Sequence, residues 1–228
     1  MSINYNYSIE QGTPEWLEAR SGLVTASTVG KLVTPTGKIA NNDTVRQMAF
    51  QLASERITGR TEPTPTSYHM ERGHIEEVFA RELYQDNYEP VSTCGFITSD
   101  EMGFTVGYSP DGLVGDDGLI EIKSRMAKFQ VQTICSGEVP KEYMLQLQFG
   151  LMVTGRKWID FVQYSNGMPL FVERVGPDQI MFETMQEAVS LFEDRVALII
   201  EEFKAKADGL VVAEYVQHID GSEIEVGE

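Results

Sequence analysis

Apolar residues recur with a helical period up to about residue 86, give way to short continuous apolar runs between about 90 and 124, and then return to the helical period. Thr13-Pro14-Glu15-Trp16 opens the first helix, because a threonine cap, a proline in the first helical position and an early acid all suit an N-terminus; Gly22 can end it. In "VTASTVGKLV" (24–33) either Thr25 or Ser27 can cap a second helix, leaving hydroxyls and free backbone N–H groups where an anion can bind. Residues 41–59 place apolar side chains at 45, 48, 49, 52, 53 and 57, which predicts an amphipathic helix closed by Gly59. "EPTPTS" (62–67) reads as a loop. Ile75, Val78, Phe79 and Leu83 carry the helical period through 68–86 and predict the apolar face of another helix.

"PVSTCGFITSD", "GFTVGYSPDG" and "GLIEIKS" are β-branched and aromatic runs separated by Asp/Gly turns, the pattern of an antiparallel meander. A helix over roughly 139–154 follows, apolar nearly all round and therefore expected to be buried. Asn166-Gly167 between two strand-like runs predicts a hairpin. A long helix is expected over 177–207, and 220–228 reads as a loose acidic tail. No internal repeat and no interdomain linker interrupts the pattern, so a single domain over 1–219 is expected.

At 228 residues, 42% hydrophobic and 23% charged, the chain can bury one sizeable core. No charged-then-apolar leader opens it, and "VALII" (196–200) is far short of the roughly 18 apolar residues of a membrane span, so a cytoplasmic protein with no membrane partner is expected. Cys94 and Cys135 read as reduced, buried residues. Eighteen Lys+Arg against 35 Asp+Glu give a formal charge of -17. That balance argues against binding nucleic acid through a general basic surface; any DNA contact needs a local basic lining, with Lys31, Lys38, Arg46, Arg125 and Lys128 available, or divalent cations.

The candidate chemistry sits in "SPDGLVGDDGLIEIKS" (109–124). Strand alternation puts Glu121 and Lys123 on one face of an otherwise apolar strand, and nine residues separate Asp111 from Glu121. A turn can therefore bring both carboxylates to one end of a hairpin. Two such acids, with the backbone carbonyl of Ile122, form the oxygen set that Mg²⁺ or Mn²⁺ prefers. A metal there would polarise a scissile phosphate, and Lys123 could orient water or stabilise developing negative charge, so the implied reaction is phosphodiester hydrolysis. Alone, Glu-x-Lys is common, and such a pair on a strand face is usually a solvated ion pair worth little. The Pro-Asp turn directly before it, and a strand too apolar for an exposed edge, favour a site.

The same stretch resembles the PD-(D/E)xK nuclease motif. Four further pieces resemble the phage lambda exonuclease branch, the YqaJ-type viral recombinases: "WLEARSGLVTAS" (16–27), "RGHIEE" (72–77), "YSPDGL" (108–113) and "EYMLQLQ" (142–148). The resemblance runs in order over about 11–165. It implies an α/β fold, a single domain with a central mixed β-sheet flanked by helices, as in restriction endonucleases. It also implies Mg²⁺-dependent digestion of one strand of double-stranded DNA from 5′-phosphorylated ends, two metal ions per site, and a homotrimer ring threaded by the DNA. The 3′ tails so produced imply a single-strand annealing protein as partner.

Carried over by position, Asp111 and Glu121 would be metal ligands and Lys123 the catalytic lysine. Glu77 would be a further acid, with Glu76 its neighbour and competitor, and Gln146 a polar member of the site. Arg20, Thr25, Ser27 and Ser109 would receive the terminal 5′-phosphate. Arg suits bidentate phosphate binding, and Gly150, one turn after Gln146, allows a close approach. The helical period puts Glu77 opposite the Ile75–Leu83 stripe, where a surface acid is the usual explanation. His69, His74 and His218 lack metal-ligand spacing.

Two rival readings remain. A RecB-like nuclease acting on single-stranded DNA shares the metal motif, although two cysteines cannot hold the iron–sulfur cluster of some members. An acidic protein that mimics DNA would suit the charge but has no use for Lys123.

Overall fold

The computed structural model describes residues 2–34, 36–61 and 68–215, the side chains of 68–70 excepted. The 62–67 loop, the 220–228 tail and the side chains of His69 and His218 lie outside the described residues. The architecture is mixed α/β, as expected, but the strands form two four-stranded sheets rather than one central sheet.

The first sheet has the order β1-β3-β4-β2, from Ile3–Asn6 (β1), Phe96–Ser99 (β3), Val106–Tyr108 (β4) and Val24–Thr25 (β2). The second has the order β5-β6-β7-β8, from Gly112–Val114 (β5), Gly118–Ser124 (β6), Trp158–Tyr164 (β7) and Phe171–Val175 (β8). β2 runs parallel to β4 and β6 parallel to β7; the other pairs are antiparallel. The expected meander is thus broken between β4 and β5. Ser109-Pro110-Asp111 carries the chain from one sheet to the other, so the Pro-Asp turn lies at their seam.

Local signals set the helices. In α1 (Pro14–Arg20) the Thr13 hydroxyl accepts from Trp16 N–H, and in α3 (Asp43–Thr58) Asn42 accepts from Val45 N–H while Gly59, in the left-handed region, ends the helix. α2 (Ala26–Leu32) starts at Thr25, whose side chain bonds Ser27 and Thr28 instead of capping. α6 (Lys141–Thr154) is buried through Leu147, Phe149, Leu151 and Val153, and α7 (Gln179–Ala207) packs Met185, Val189, Phe192 and Val196 inward. The Asn166-Gly167 hairpin is present as β7–β8, with Gly167 at φ 77°.

Two helices depart from the sequence reading. α4 (Tyr68–Asn87) buries Ala80 and Tyr84 against Ile120, Ile122 and Val162, while Ile75, Val78, Phe79 and Leu83 face outward. The stripe read from the period is real, but the core takes the opposite face. α5 (Ala127–Ser136) does not stand out in the sequence, because its buried positions are Gln130 and Thr133. Their amides and hydroxyl are satisfied by Gln163 and by the Pro169 carbonyl, as buried polar groups must be. Of the two free cysteines Cys94 is buried, but Cys135, on the outward side of α5, is exposed.

Tyr84 anchors α4 to the second sheet. Its hydroxyl donates to Asp160 at 2.6 Å, and Arg174, paired with Asp160 across β7–β8, donates to the same carboxylate at 2.7 and 2.9 Å. This anchor turns the inner side of α4, with Glu76, Glu77 and Arg81, toward the Pro-Asp turn.

Candidate active site

β6 supplies the centre. Glu121 is 2% exposed and accepts from Lys123 Nζ at 2.7 Å and Gln146 Nε2 at 2.5 Å through Oε1, and from Tyr108 Oη at 3.0 Å through Oε2. A buried carboxylate needs such donors. Asp111 Oδ2 accepts from the backbone N–H of Ile122 at 2.6 Å, so the Pro-Asp turn is latched to the strand between Glu121 and Lys123. The three residues singled out by spacing therefore meet, and Gln146 reaches them from α6.

Tyr108 closes one wall. An added Cβ at Gly150 would lie 2.7 Å from the Tyr108 ring, so the close approach expected at Gly150 is that of Tyr108. Burial, together with Glu121 and Asp111, pushes the Tyr108 phenol well up, keeping its proton available to Glu121. The ring of Tyr143 stacks on Phe161 and lies 5.5 Å from Lys123 Nζ.

α4 adds two acids and a cation. Glu77 is ion-paired with Arg81, whose Nε donates to the carbonyl of Asp111 at 2.9 Å. Glu76 instead accepts from Ser124 Oγ and faces Arg72 at 3.7 Å. Of the two acids, Glu77 is tied to the turn that carries Asp111, and its electrostatic neighbours include Glu121 and Lys123. Arg81 has no counterpart in the sequence reading; an Arg four residues after a Glu reads as a solvated helix pair.

The electrostatics are those of crowded carboxylates. Burial, then Glu121 and Glu77, push the Asp111 carboxyl well above the usual range against the opposing pull of Lys123. Burial likewise raises Glu77. For Lys123 burial disfavours the charge, but Glu121, Asp111 and Glu77 outweigh it and the ammonium holds its proton more tightly than usual. Among the described residues no three His, Cys, Asp or Glu side chains are grouped so as to hold a metal ion. Two carboxylates with a neighbouring backbone carbonyl nevertheless suit Mg²⁺, which takes oxygen ligands and keeps several waters, and the crowding of negative charge favours a cation there.

A second cluster lies on the other side of the turn. Ser109 Oγ accepts from Trp16 Nε1 at 2.9 Å and from Arg20 Nη1 at 3.1 Å; Arg20 Nη2 reaches Ser27 Oγ at 3.5 Å, and Ser27 meets Thr25 at 3.0 Å. The guanidinium stacks on Trp16, 4.1 Å from its centre. Its hydrogen-bond partners here are neutral hydroxyls, and burial pulls its pKa below the ordinary value with Glu55 opposing. A cation so placed suits an incoming anion. Trp16, Arg20, Thr25 and Ser27 line a cavity of about 660 Å³ together with Lys31, His74 and Glu55, and Ser109 meets it through its hydrogen bond with Arg20. α2 has only seven residues, so side chains rather than a helix dipole make this pocket. Of the other basic residues, Arg46 pairs with Asp43 and Arg125 with Glu142, Lys128 lies over Phe129, and Lys38 is exposed.

A family model describing the YqaJ-like viral recombinase domain matches residues 15–157. Among solved structures, the alkaline exonuclease LHK-Exo of Laribacter hongkongensis is 34% identical over 87% of this chain and 100% of its own, with a TM-score of 0.77; its complex with dAMP matches equally. A phage-related exonuclease of Haemophilus somnus 129PT, 16% identical over 79% of this chain and 96% of its own, shares the fold with a TM-score of 0.56. No curated protein matches this chain.

Proposed function

This chain belongs to the family of YqaJ-like viral recombinase domains, and on that premise we propose that it is a nuclease acting on DNA, a Mg²⁺-dependent 5′-to-3′ exonuclease. It shortens one strand of duplex DNA from a 5′-phosphorylated end and leaves 3′ single-stranded tails. The observation that carries this reading is the Ser109-Pro110-Asp111 turn. Ser109 faces the Arg20 pocket while Asp111, two residues on, faces Glu121 and Lys123. One turn therefore joins an anion pocket to a carboxylate site, the arrangement needed to hold a terminal phosphate while the next phosphodiester is cut.

Asp111, Glu121 and the Ile122 carbonyl would hold Mg²⁺, or Mn²⁺ in its place, with Glu77 at the edge of the site for a second ion. When bound, the metal polarises the phosphoryl group and lowers the pKa of water. Lys123, fixed by Glu121 and propped by Tyr143, directs its remaining N–H bonds at the attacking water and the charge developing on the phosphoryl oxygens. Water oxygen joins phosphorus, the bond from phosphorus to the 3′-oxygen breaks, and that oxygen takes up a proton. The shortened strand then begins with a 5′-phosphate, the group Arg20 is placed to bind, so each product is the next substrate.

Assembly as a homotrimer ring around the duplex, and hand-over of the 3′ tails to a single-strand annealing protein, belong to the same proposal. An acidic DNA mimic has no use for a carboxylate buried under three donors.

Arg20→Ala tests the pocket. Digestion of 5′-phosphorylated duplex is expected to fall by about 10–100-fold, the loss of a charge-assisted phosphate contact, with 5′-hydroxyl ends little affected. Equal loss on both ends would remove the phosphate-pocket assignment.

A further inference from the structure

Glu55 of α3 is a buried acid, 8% exposed, whose hydrogen-bond donors are both neutral. Its Oε2 accepts from the backbone N–H of Gly22 at 2.8 Å and its Oε1 from Gln51 Nε2 at 3.2 Å. The next residue, Arg56, donates through Nε to the Gly22 carbonyl at 2.8 Å and is itself held by Glu193 of α7 at 2.6 and 2.8 Å. Consecutive residues of α3 therefore grip both backbone polar groups of Gly22. Gly22 stands at φ 71°, where a Cβ would lie 3.0 Å from Arg56 Cγ, so a larger residue would be strained and would press on the grip. Arg20 comes two residues earlier and Thr25 three residues later, so the grip fixes the turn between two walls of the anion pocket.

Glu55 also lines that pocket, with Arg20, Ser27 and Lys31, and it opposes the effect of burial on the Arg20 guanidinium. A neutral acceptor would satisfy the Gly22 N–H, and burying a carboxylate costs more than burying an amide. Beside an anion site the carboxylate has a second cost, because two negative charges repel most strongly where little water separates them. The hydrogen bond to Gly22 accounts for an acceptor at this position but not for its charge.

We propose that Glu55 is a release residue of the Arg20 pocket, a carboxylate that keeps the hold on a terminal 5′-phosphate weak enough to be broken after each cut. The inference rests on the reading of this pocket as the phosphate site. On that reading the pocket fills and empties once for every nucleotide removed. Arg20, Lys31 and the hydroxyls of Thr25 and Ser27 supply the attraction, and unopposed they would hold the strand in place between cuts. Glu55 acts on both states of the pocket. When it is empty, the carboxylate supports the Arg20 charge; when it is filled, the same carboxylate repels the phosphate. Both effects favour exchange over capture.

Glu55→Gln on the full chain tests this, since the amide oxygen can still accept from Gly22 while the charge is gone. Affinity for 5′-phosphorylated and 5′-hydroxyl duplex DNA is measured by fluorescence anisotropy in EDTA, and the digestion rate in Mg²⁺. Glu55→Gln is expected to bind the phosphorylated end about 5–50-fold more tightly, the scale of one removed charge at a partly buried site. Binding of the hydroxyl end should not change, and digestion should slow. A purely structural Glu55 predicts the opposite sign, because a loosened Gly22 turn would weaken phosphate binding. Unchanged or weaker binding of the phosphorylated end would overturn the inference, as would tighter binding with no loss of rate. If Glu55→Gln melts well below the wild type, Gln51→Glu takes its place. It adds a carboxylate at an exposed position on the same cavity wall and is expected to loosen phosphorylated ends alone; no selective loosening would count against the inference. The wild type separates the two proposals. Equal affinity for both ends removes the phosphate pocket and this inference with it, whereas a phosphate preference that Glu55→Gln does not strengthen removes the release role and leaves the pocket standing.

Discussion

Glu121 is the residue on which the candidate site converges, because the groups that satisfy its burial include Lys123, to which the proposed function gives the chemistry. Lys123, Gln146 and Tyr108 all donate to it, so its carboxylate is oriented before any cation arrives. Arg81 does the corresponding task for Glu77 and for the Asp111 backbone. Its replacement by Met is expected to lower both the digestion rate and Mn²⁺ affinity, the latter read by calorimetry, by about 10–100-fold, the usual cost of losing a partner behind a metal ligand. Unchanged Mn²⁺ binding would reduce Arg81 to a surface ion pair. The raised pKa of Asp111 has a thermodynamic consequence as well. The folded carboxyl binds its proton more tightly than the unfolded one, so in metal-free buffer stability is full below the ordinary carboxylate range. It is lost as pH rises through the raised value. Melting temperature measured against pH with EDTA should fall over that window, and Asp111→Asn should flatten the fall.

At the scale of elements, α4 decides whether the site exists, since it brings Glu77 and Arg81 to the Pro-Asp turn only in the rotation that Tyr84 fixes. Tyr84→Phe is expected to cost about 1–3 kcal/mol in urea unfolding, because a hydrogen bond to a charged group is lost from a buried position; no measurable change would show that Arg174 alone satisfies Asp160. Helix ends and the β7–β8 hairpin were legible in the sequence because Thr13, Gly59 and Asn166-Gly167 act locally. The rotation of α4 was not, since a stripe with the right period names an apolar face without saying what covers it. α5 was missed for the related reason that its inward residues are amides and hydroxyls. The division into two sheets depends on the nonlocal pairings of β2 with β4 and of β6 with β7, which no local run encodes. Within the site, spacing led to Asp111, Glu121 and Lys123, whereas Tyr108 is indistinguishable from a core aromatic until Glu121 is seen beside it.

At the scale of the whole molecule, a formal charge of -17 and a DNA substrate are reconciled by placement. Glu71, Glu82 and Asp86 of α4 and Glu187, Asp194 and Glu201 of α7 lie on outward faces, while Arg20, Lys31 and Lys123 are gathered near the seam between the sheets, where the turn from β4 to β5 passes. On the proposed function, divalent cation at the carboxylates would supply the remaining positive charge a phosphate backbone requires. The most direct measurement is digestion of linear duplex DNA labelled at either end, in Mg²⁺ or EDTA, by wild type and Lys123→Ala. Loss of label from 5′-phosphorylated ends that needs Mg²⁺ and disappears in Lys123→Ala is the expected result. No digestion by the wild type, or digestion indifferent to both metal and Lys123, would contradict it.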